Sequence, residues 1–203
     1  MLTFEETEKL MKKYHIPLPK QKLVKSLKEA KNFSKKIYPV VMKVYSPKII
    51  HKTDVGGIIA DIRNDKELED AFKKIMKIKN AEGVVIQKYV KGLETIIGGL
   101  NDKQFGPCIS FGTGGIFVEV MKDLVFRVCP ISKKDADKMI KETKIYKILK
   151  GYRGKKYYID GIRETLLKIS KMMENENIEE LDINPLIVGE KEIYAADVRI
   201  IRE

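Results

Sequence analysis

Asp182, Asn184 and Asp197 lie in two apolar runs, Leu181 to Val188 and Ile193 to Ile201, joined by the polar segment Gly189-Glu190-Lys191-Glu192. The pattern reads as a hairpin. If Val188 and Ile193 flank the loop as partners, antiparallel register sets Asn184 opposite Asp197. Side chains alternate along a strand, so Asp182 and Asn184 share a face and Asp197 joins them across the strand gap. Three oxygen-bearing side chains placed this way suit Mg²⁺, a hard cation whose octahedron phosphates and water can complete. The spacing also fits a plain solvent-facing hairpin with a turn-starting Asn-Pro. Asp197 is expected to be buried among Ala195, Ala196 and Val198, which favours the cation site.

A second candidate is Lys43, the single cation of Val40-Val41-Met42-Lys43-Val44. Its ammonium either escapes to solvent from an edge strand or meets an anion such as a phosphate. The polar segment that follows, Ser46 to Gly57, carries His51, Lys52, Thr53 and the pair Gly56-Gly57. Glycines there would let backbone N–H groups approach an anion, and an imidazole beside them could accept a phosphoryl group. The competing reading of His51 is an ordinary surface residue. His15, between a helix and prolines, has no such surroundings. Phe111-Gly112-Thr113-Gly114-Gly115 lacks the Gly-Lys-Ser/Thr of a P-loop and leads into strand-like sequence, not a helix, so neither a P-loop nor a dinucleotide fingerprint is present. Val90-Lys91-Gly92-Leu93 fits a two-residue hairpin turn.

These residues require a scaffold of alternating strands and helices, α/β or α+β in class. Thr3 is placed to cap a helix through about Tyr14 with Glu6 in a capping box, and Ser26 to Lys36, Asp65 to Lys77, a segment capped by Ser132, and a long helix bearing Ile159, Ile162, Leu166, Ile169, Met172 and Met173 follow. Strands are expected at Pro39–Tyr45, Gly57–Ile62, Val84–Val90, Leu93–Leu100, Cys108–Phe111, Ile116–Val120 and Leu124–Val128, before the closing hairpin. The 203 residues, 43% hydrophobic and 34% charged, suffice for one domain or two interlocked lobes, and no apolar run is long enough to span a bilayer. Cys108 and Cys129 form neither a disulfide framework nor a zinc motif, and Met1 to Glu6 lack the basic and apolar pattern of a secretion signal, so a cytoplasmic setting is expected. The formal net charge of +11 is spread along the chain among glutamates, which fits a phosphate-binding groove as well as a basic nucleic-acid binding module.

Taken in order, Val41-Met42-Lys43-Val44, Ser46 through Gly57, Gln87-Lys88-Tyr89-Val90, Phe111 through Glu119 and Leu181-Asp182-Ile183-Asn184-Pro185-Leu186 resemble the β subunit of ADP-forming acetyl-CoA synthetase over essentially the whole chain. The resemblance implies an α+β class chain with the ATP-grasp fold: a single ATP-grasp domain over 1–203, with a first lobe at 17–90 and a second lobe at 1–16 and 91–203 that hold nucleotide between them. It implies a ligase that forms ATP from ADP and phosphate at the expense of an acyl-CoA thioester, with Mg²⁺ as cofactor. Lys43 would contact phosphates, Gln87, Lys88, Tyr89 and Val90 would form an adenine-reading hinge, and Glu94 would bind ribose. Asn184 and Asp197 would hold Mg²⁺, with Asp182 standing where many ATP-grasp proteins have glutamate. His51 would take a phosphoryl group relayed from a histidine of a partner, Gly56 and Gly57 would contact its oxygens, and Arg127 would steady a phosphate. The CoA site, the acyl site and the first phosphorylated histidine would belong to an α subunit, in a heterotetramer, with neither nucleic acid nor membrane as partner. An ATP-grasp carboxylate–amine ligase is the alternative enzyme, and the nucleic-acid module the alternative of another class.

Overall fold

A computed structural model describes residues 1–49, 51–115, 123–152 and 154–202. The chain divides into two units, one of Pro19–Val90 and one of Met1–Leu18 with Lys91–Glu203.

The smaller unit contains an antiparallel sheet of β1 (Gln21–Val24), β2 (Val40–Tyr45), β3 (Ile58–Ile62) and β4 (Gly83–Lys88), in the order β1-β4-β2-β3. Ser26 caps α2 (Leu27–Ser34), and the Asn64 side chain accepts the Lys66 and Glu67 N–H groups at the start of α3 (Asp65–Met76). Leu68, Ala71, Phe72 and Ile75 form the buried stripe of α3, at the spacing that keeps one helix face inward. They share a core with Val40, Met42, Val44, Val84 and Ile86 from one face of the sheet. Alternation therefore puts Val41, Lys43, Val85 and Gln87 on the other face. β1 is not an expected strand: Gln21-Lys22-Leu23-Val24 is too short and too polar to signal one, and it is extended because β4 supplies the pairing edge.

The larger unit contains a six-stranded antiparallel sheet of β5 (Leu93–Asp102), β6 (Gly106–Thr113), β7 (Leu124–Val128), β8 (Ile178–Val188), β9 (Ile193–Ala195) and β10 (Val198–Arg202). Its order is β10-β8-β5-β6-β7, with β9 beside β8. On one face pack α4 (Lys133–Glu142) and α6 (Ile159–Asn175), whose buried Met139, Ile162, Leu166 and Ile169 meet Ile97, Ile109, Phe111 and Ile183. Each such side chain contributes about 1.5–3 kcal/mol through burial, so the sheet is pinned by this face. α1 (Phe4–Lys13) begins with the expected Thr3–Glu6 capping box and adds Leu10 and Met11 to the same core. The Leu2 N–H donates to the Ile200 carbonyl at 2.8 Å, tying the first residues to β10. Ala195 donates its N–H to Pro17 O, and Leu18 packs on this core, so the chain leaves the unit two residues later than the expected boundary at 17.

Val90 to Leu93 does not close a hairpin, because β4 pairs with β1 and β2 whereas β5 pairs with β6 and β8. A short helix α5 (Tyr146–Leu149) follows α4 without an expectation to match it. The strand expected at Ile116–Val120 lies outside the described residues. No helix among the described residues is long and apolar enough to cross a membrane.

Candidate nucleotide and metal site

The register expected of the closing hairpin is the one observed. Val188 faces Ile193 and Leu186 faces Ala195 on β9, while Ile183 faces Val198 and Asp182 faces Arg199 on β10. Between the two ladders the Asn184 N–H donates to the Asp197 carbonyl at 3.0 Å. Toward β5 the pairing is irregular: Thr95 faces Leu186 but Ile97 faces Ile183, so Asn184 and Pro185 together oppose Ile96 in a bulge. Burial records the resulting change of phase, with Leu181 and Ile183 buried before it and Leu186 and Val188 after it. Asp182 and Asn184 are both half-buried and lie off the helix-packed face. Asp197 is also half-buried, where the sequence suggests a buried carboxylate; its apolar neighbours Ala195 and Ala196 are buried without enclosing it.

Two carboxylates and an amide oxygen form an all-oxygen donor set, which fits Mg²⁺ better than a thiophilic or imidazole-seeking metal. Among the described residues no three His, Cys, Asp or Glu side chains gather as a metal cluster, so a cation held here would lean on the Asn184 amide and on oxygens carried by a ligand. Asn184 is held from a third direction, because its Oδ1 accepts the Gly115 N–H at 3.0 Å. Glu94, exposed at the start of β5, belongs to the same neighbourhood: a Cβ on Gly115 would lie 2.1 Å from its Oε2, and the Gly114 N–H donates to its carbonyl at 3.1 Å. Glu94, Asn184 and the glycine run are thus brought together.

Arg127 is placed elsewhere. It shares the phase of Val125, which packs on the core, and its guanidinium donates to Glu142 of α4 at 2.6 Å. The intervening Phe126 is exposed on the opposite face, the face of Asp182. Arg127 therefore fastens β7 to α4, and a phosphate-steadying role is not supported.

In the smaller unit, β2 is an interior strand, which removes the edge-strand explanation for Lys43. Lys43 is 6% exposed, and its Nζ donates to Gln87 Oε1 at 3.0 Å. The Gln87 amide donates in turn to Gln21 Oε1 at 2.7 Å, so a polar row crosses β2, β4 and β1 on the face away from α2 and α3. Lys88 is exposed, Tyr89 and Val90 are half-buried, and the Lys88 and Tyr89 N–H groups donate to Lys20 O and Pro39 O. His51 is exposed. The Gly56 N–H donates to Thr53 O at 3.0 Å and the Gly57 N–H to Lys52 O at 2.7 Å, so both are engaged within the turn and do not present the anion-binding donors that the sequence suggests. Gly57 answers to packing: a Cβ there would lie 2.4 Å from Val44 Cγ1. Gly56 answers to its backbone, at φ 64°.

The ATP-grasp domain signature matches residues 1–201. The β subunit of acetate–CoA ligase [ADP-forming] I from Pyrococcus furiosus is 44% identical to this chain, over 97% of it and 89% of that subunit. The chain belongs to the ATP-grasp domains of the ADP-forming acetate–CoA ligases. The acetate–CoA ligase [ADP-forming] II of Archaeoglobus fulgidus is 41% identical over 99% of this ATP-grasp chain, which spans only 30% of that longer protein. A solved structure of the dinucleotide-forming acetyl-coenzyme A synthetase 1 of Candidatus Korarchaeum cryptofilum, with coenzyme A and Ca-AMPCP, is similar with a TM-score of 0.91 at 41% identity, covering 98% of this chain and 92% of that one. Another structure of that enzyme holds Mg-AMPPCP with a phosphohistidine segment pointing towards the nucleotide binding site, at a TM-score of 0.85 and 41% identity over 100% and 92% of the two chains.

Two residues of this ATP-grasp chain escape sequence reasoning. Gln21 has no motif, since its role follows from the β1–β4 pairing. Asp123 offers a faint signal, an acidic residue placed directly before the apolar β7, and it proves to be a buried carboxylate at the base of the glycine run.

Proposed function

We propose that this chain is the nucleotide-binding β subunit of an ADP-forming acyl-CoA synthetase, in which a phosphohistidine relay makes ATP from ADP and phosphate at the expense of a thioester. The observation that carries the proposal is the main-chain pairing of Asn184 with Asp197, on the sheet that also carries Glu94 and the glycine run. Asn184 and Asp197, with the shorter-reaching Asp182, would hold Mg²⁺. Bound there, Mg²⁺ supplies charge neutralisation for the nucleotide phosphates. Lys43, a buried cation held in place by Gln87, contacts the phosphates. Gln87 to Val90 read the adenine, and the Glu94 carboxylate takes the ribose hydroxyls.

His51 receives a phosphoryl group: its P–N bond forms as the P–N bond to a donor histidine breaks, and breaks in turn when a terminal oxygen of ADP takes the group to yield ATP. Gly56 and Gly57 set the shape of the turn that carries it. The donor histidine, the CoA site and the acyl site belong to a CoA-binding α subunit, and the two subunits form a heterotetramer in the cytoplasm. Incubation with Mg²⁺ and γ-labelled ATP is expected to leave an acid-labile, base-stable label on His51. A chain that binds nucleotide and acquires no label would overturn the relay, and amine-dependent ADP release would point to a carboxylate–amine ligase instead.

A further inference from the structure

Gly112, Thr113, Gly114, Gly115 and Asp123 act as one device. The buried Asp123 carboxylate accepts the Thr113 hydroxyl at 2.7 Å, and its carbonyl accepts the Thr113 N–H at 3.2 Å. The same carboxylate accepts the backbone N–H groups of Lys144 and Ile145 at 2.7 and 3.1 Å, just before α5. Each glycine is required by a different neighbour. A Cβ on Gly112 would lie 1.7 Å from Asp123 O, one on Gly114 would lie 2.4 Å from Thr95 O, and Gly115, at φ 65°, leaves room for the Glu94 carboxylate. The backbone after Thr113 is thereby locked between the Asp123 clasp and β5, and its last described N–H, that of Gly115, reaches Asn184 Oδ1.

A donor at that point decides how the Asn184 amide is turned. Only the carbonyl oxygen can meet an N–H, so Oδ1 faces Gly115, and its second lone pair is left for a cation. A rotated amide would present NH₂ to both, repelling the cation.

We propose that Asp123 is a positioning residue for the metal site: by clasping Thr113 it fixes Gly114 and Gly115, and Gly115 then sets the orientation of the Asn184 oxygen. The proposal rests on the assignment of Asn184 as a metal ligand made above. Residues that orient metal ligands from behind typically change metal affinity by 10–100-fold when removed.

Thr113→Val isolates this role. It removes the hydroxyl at nearly constant volume and leaves Asp123 bonded to Lys144 and Ile145, so the α4–α5 corner is kept. The readout is the Mg²⁺ concentration that half-saturates the full chain at fixed ADP, followed by calorimetry, beside the melting temperature. Thr113→Val is expected to raise that concentration roughly tenfold with a nearly unchanged melting temperature, and Thr113→Ser to restore it. Asp123→Asn should raise it as well and also melt lower, since one of its acceptor oxygens becomes a donor facing backbone N–H groups. Variants that melt lower yet take up Mg²⁺ as the wild type does would show a purely structural clasp and overturn the proposal. Asn184→Ala, measured alongside, separates the two claims: if it too leaves the Mg²⁺ requirement unchanged, the metal assignment itself fails.

Discussion

The backbone N–H of Asn184 donates to the carbonyl of Asp197 at 3.0 Å, so main-chain bonding holds these two residues side by side on neighbouring segments of the closing hairpin. Side-chain removal at either position leaves that main-chain bond in place. Asn184→Ala and Asp197→Ala are each expected to weaken Mg²⁺–ADP binding about tenfold or more, with a loss of stability near 1 kcal/mol at Asn184, where the Gly115 N–H is left unmatched. Nucleotide titrations with and without Mg²⁺ check this, and equal affinity in all three proteins would reduce the arrangement to a polar hairpin.

Lys43 gives a prediction of a different kind. Lys43→Met keeps the length of the side chain but takes away the donor to Gln87 Oε1, so a loss of about 1–3 kcal/mol in stability is expected while affinity for Mg²⁺–ADP falls at least tenfold. A variant that melts much lower and binds nucleotide normally would mark Lys43 as a structural residue.

His51→Ala should block net ATP formation when assembled with the CoA-binding partner, and leave Mg²⁺–ADP binding nearly intact, because His51 is exposed and no part of the core. Wild-type turnover in that assembly would exclude the relay through His51.

The two glycines after it should separate by mechanism. Gly57→Ala forces a methyl against Val44 and the Lys52 carbonyl and is expected to cost about 1–3 kcal/mol. Gly56→Ala meets open space and pays only for its left-handed backbone, about 1–2 kcal/mol. Chemical denaturation of both variants measures the two losses, and a Gly57→Ala chain as stable as the wild type would contradict the packing argument.

Glu176 anchors the end of α1: its carboxylate accepts Lys13 at 2.6 Å and Tyr14 at 3.0 Å, and pairs with Arg202 at 2.6 Å. The Lys13 hydrogen bond, offset by partial burial and aided by Tyr14, holds its pKa below the ordinary glutamate value. A lowered folded pKa means that the contribution is full above the unfolded value of about 4.3 and is lost as pH falls through the lower folded one. Glu176→Gln should flatten that acid limb and lower the neutral melting temperature by about 2–4 °C, the equivalent of about 1 kcal/mol. Thermal melts between neutral pH and pH 3 follow it, and an unchanged acid limb in the variant would show that other carboxylates set it.

What the sequence makes legible depends on how local the cause is. The Asn184–Asp197 register needs only alternation and a loop length, and the α1 and α4 caps need only residues within one turn. The bulge at Asn184–Pro185 is invisible because it exists only relative to β5, which lies far away in the chain. Arg127 illustrates the same limit: the resemblance implies a phosphate contact, but the face it occupies is fixed by β6 and by Glu142. Gly57 reads as an anion contact until Val44 is placed beside it. The interior position of Lys43 likewise follows from strand order, with β3 outside β2, and strand order is not written in the β2 segment.

The hydrogen bond from Leu2 to Ile200 has a bearing on how the protein is made. Every strand and helix of the smaller unit is encoded before Lys91, so that unit can fold while the rest of the chain is still being made. α1, made before any of it, has no sheet to dock on until β10 appears almost a whole chain later. α1 thus precedes the smaller unit in the chain yet docks only after it, and its apolar face, with Leu10 and Met11, waits for its partners while everything between is made.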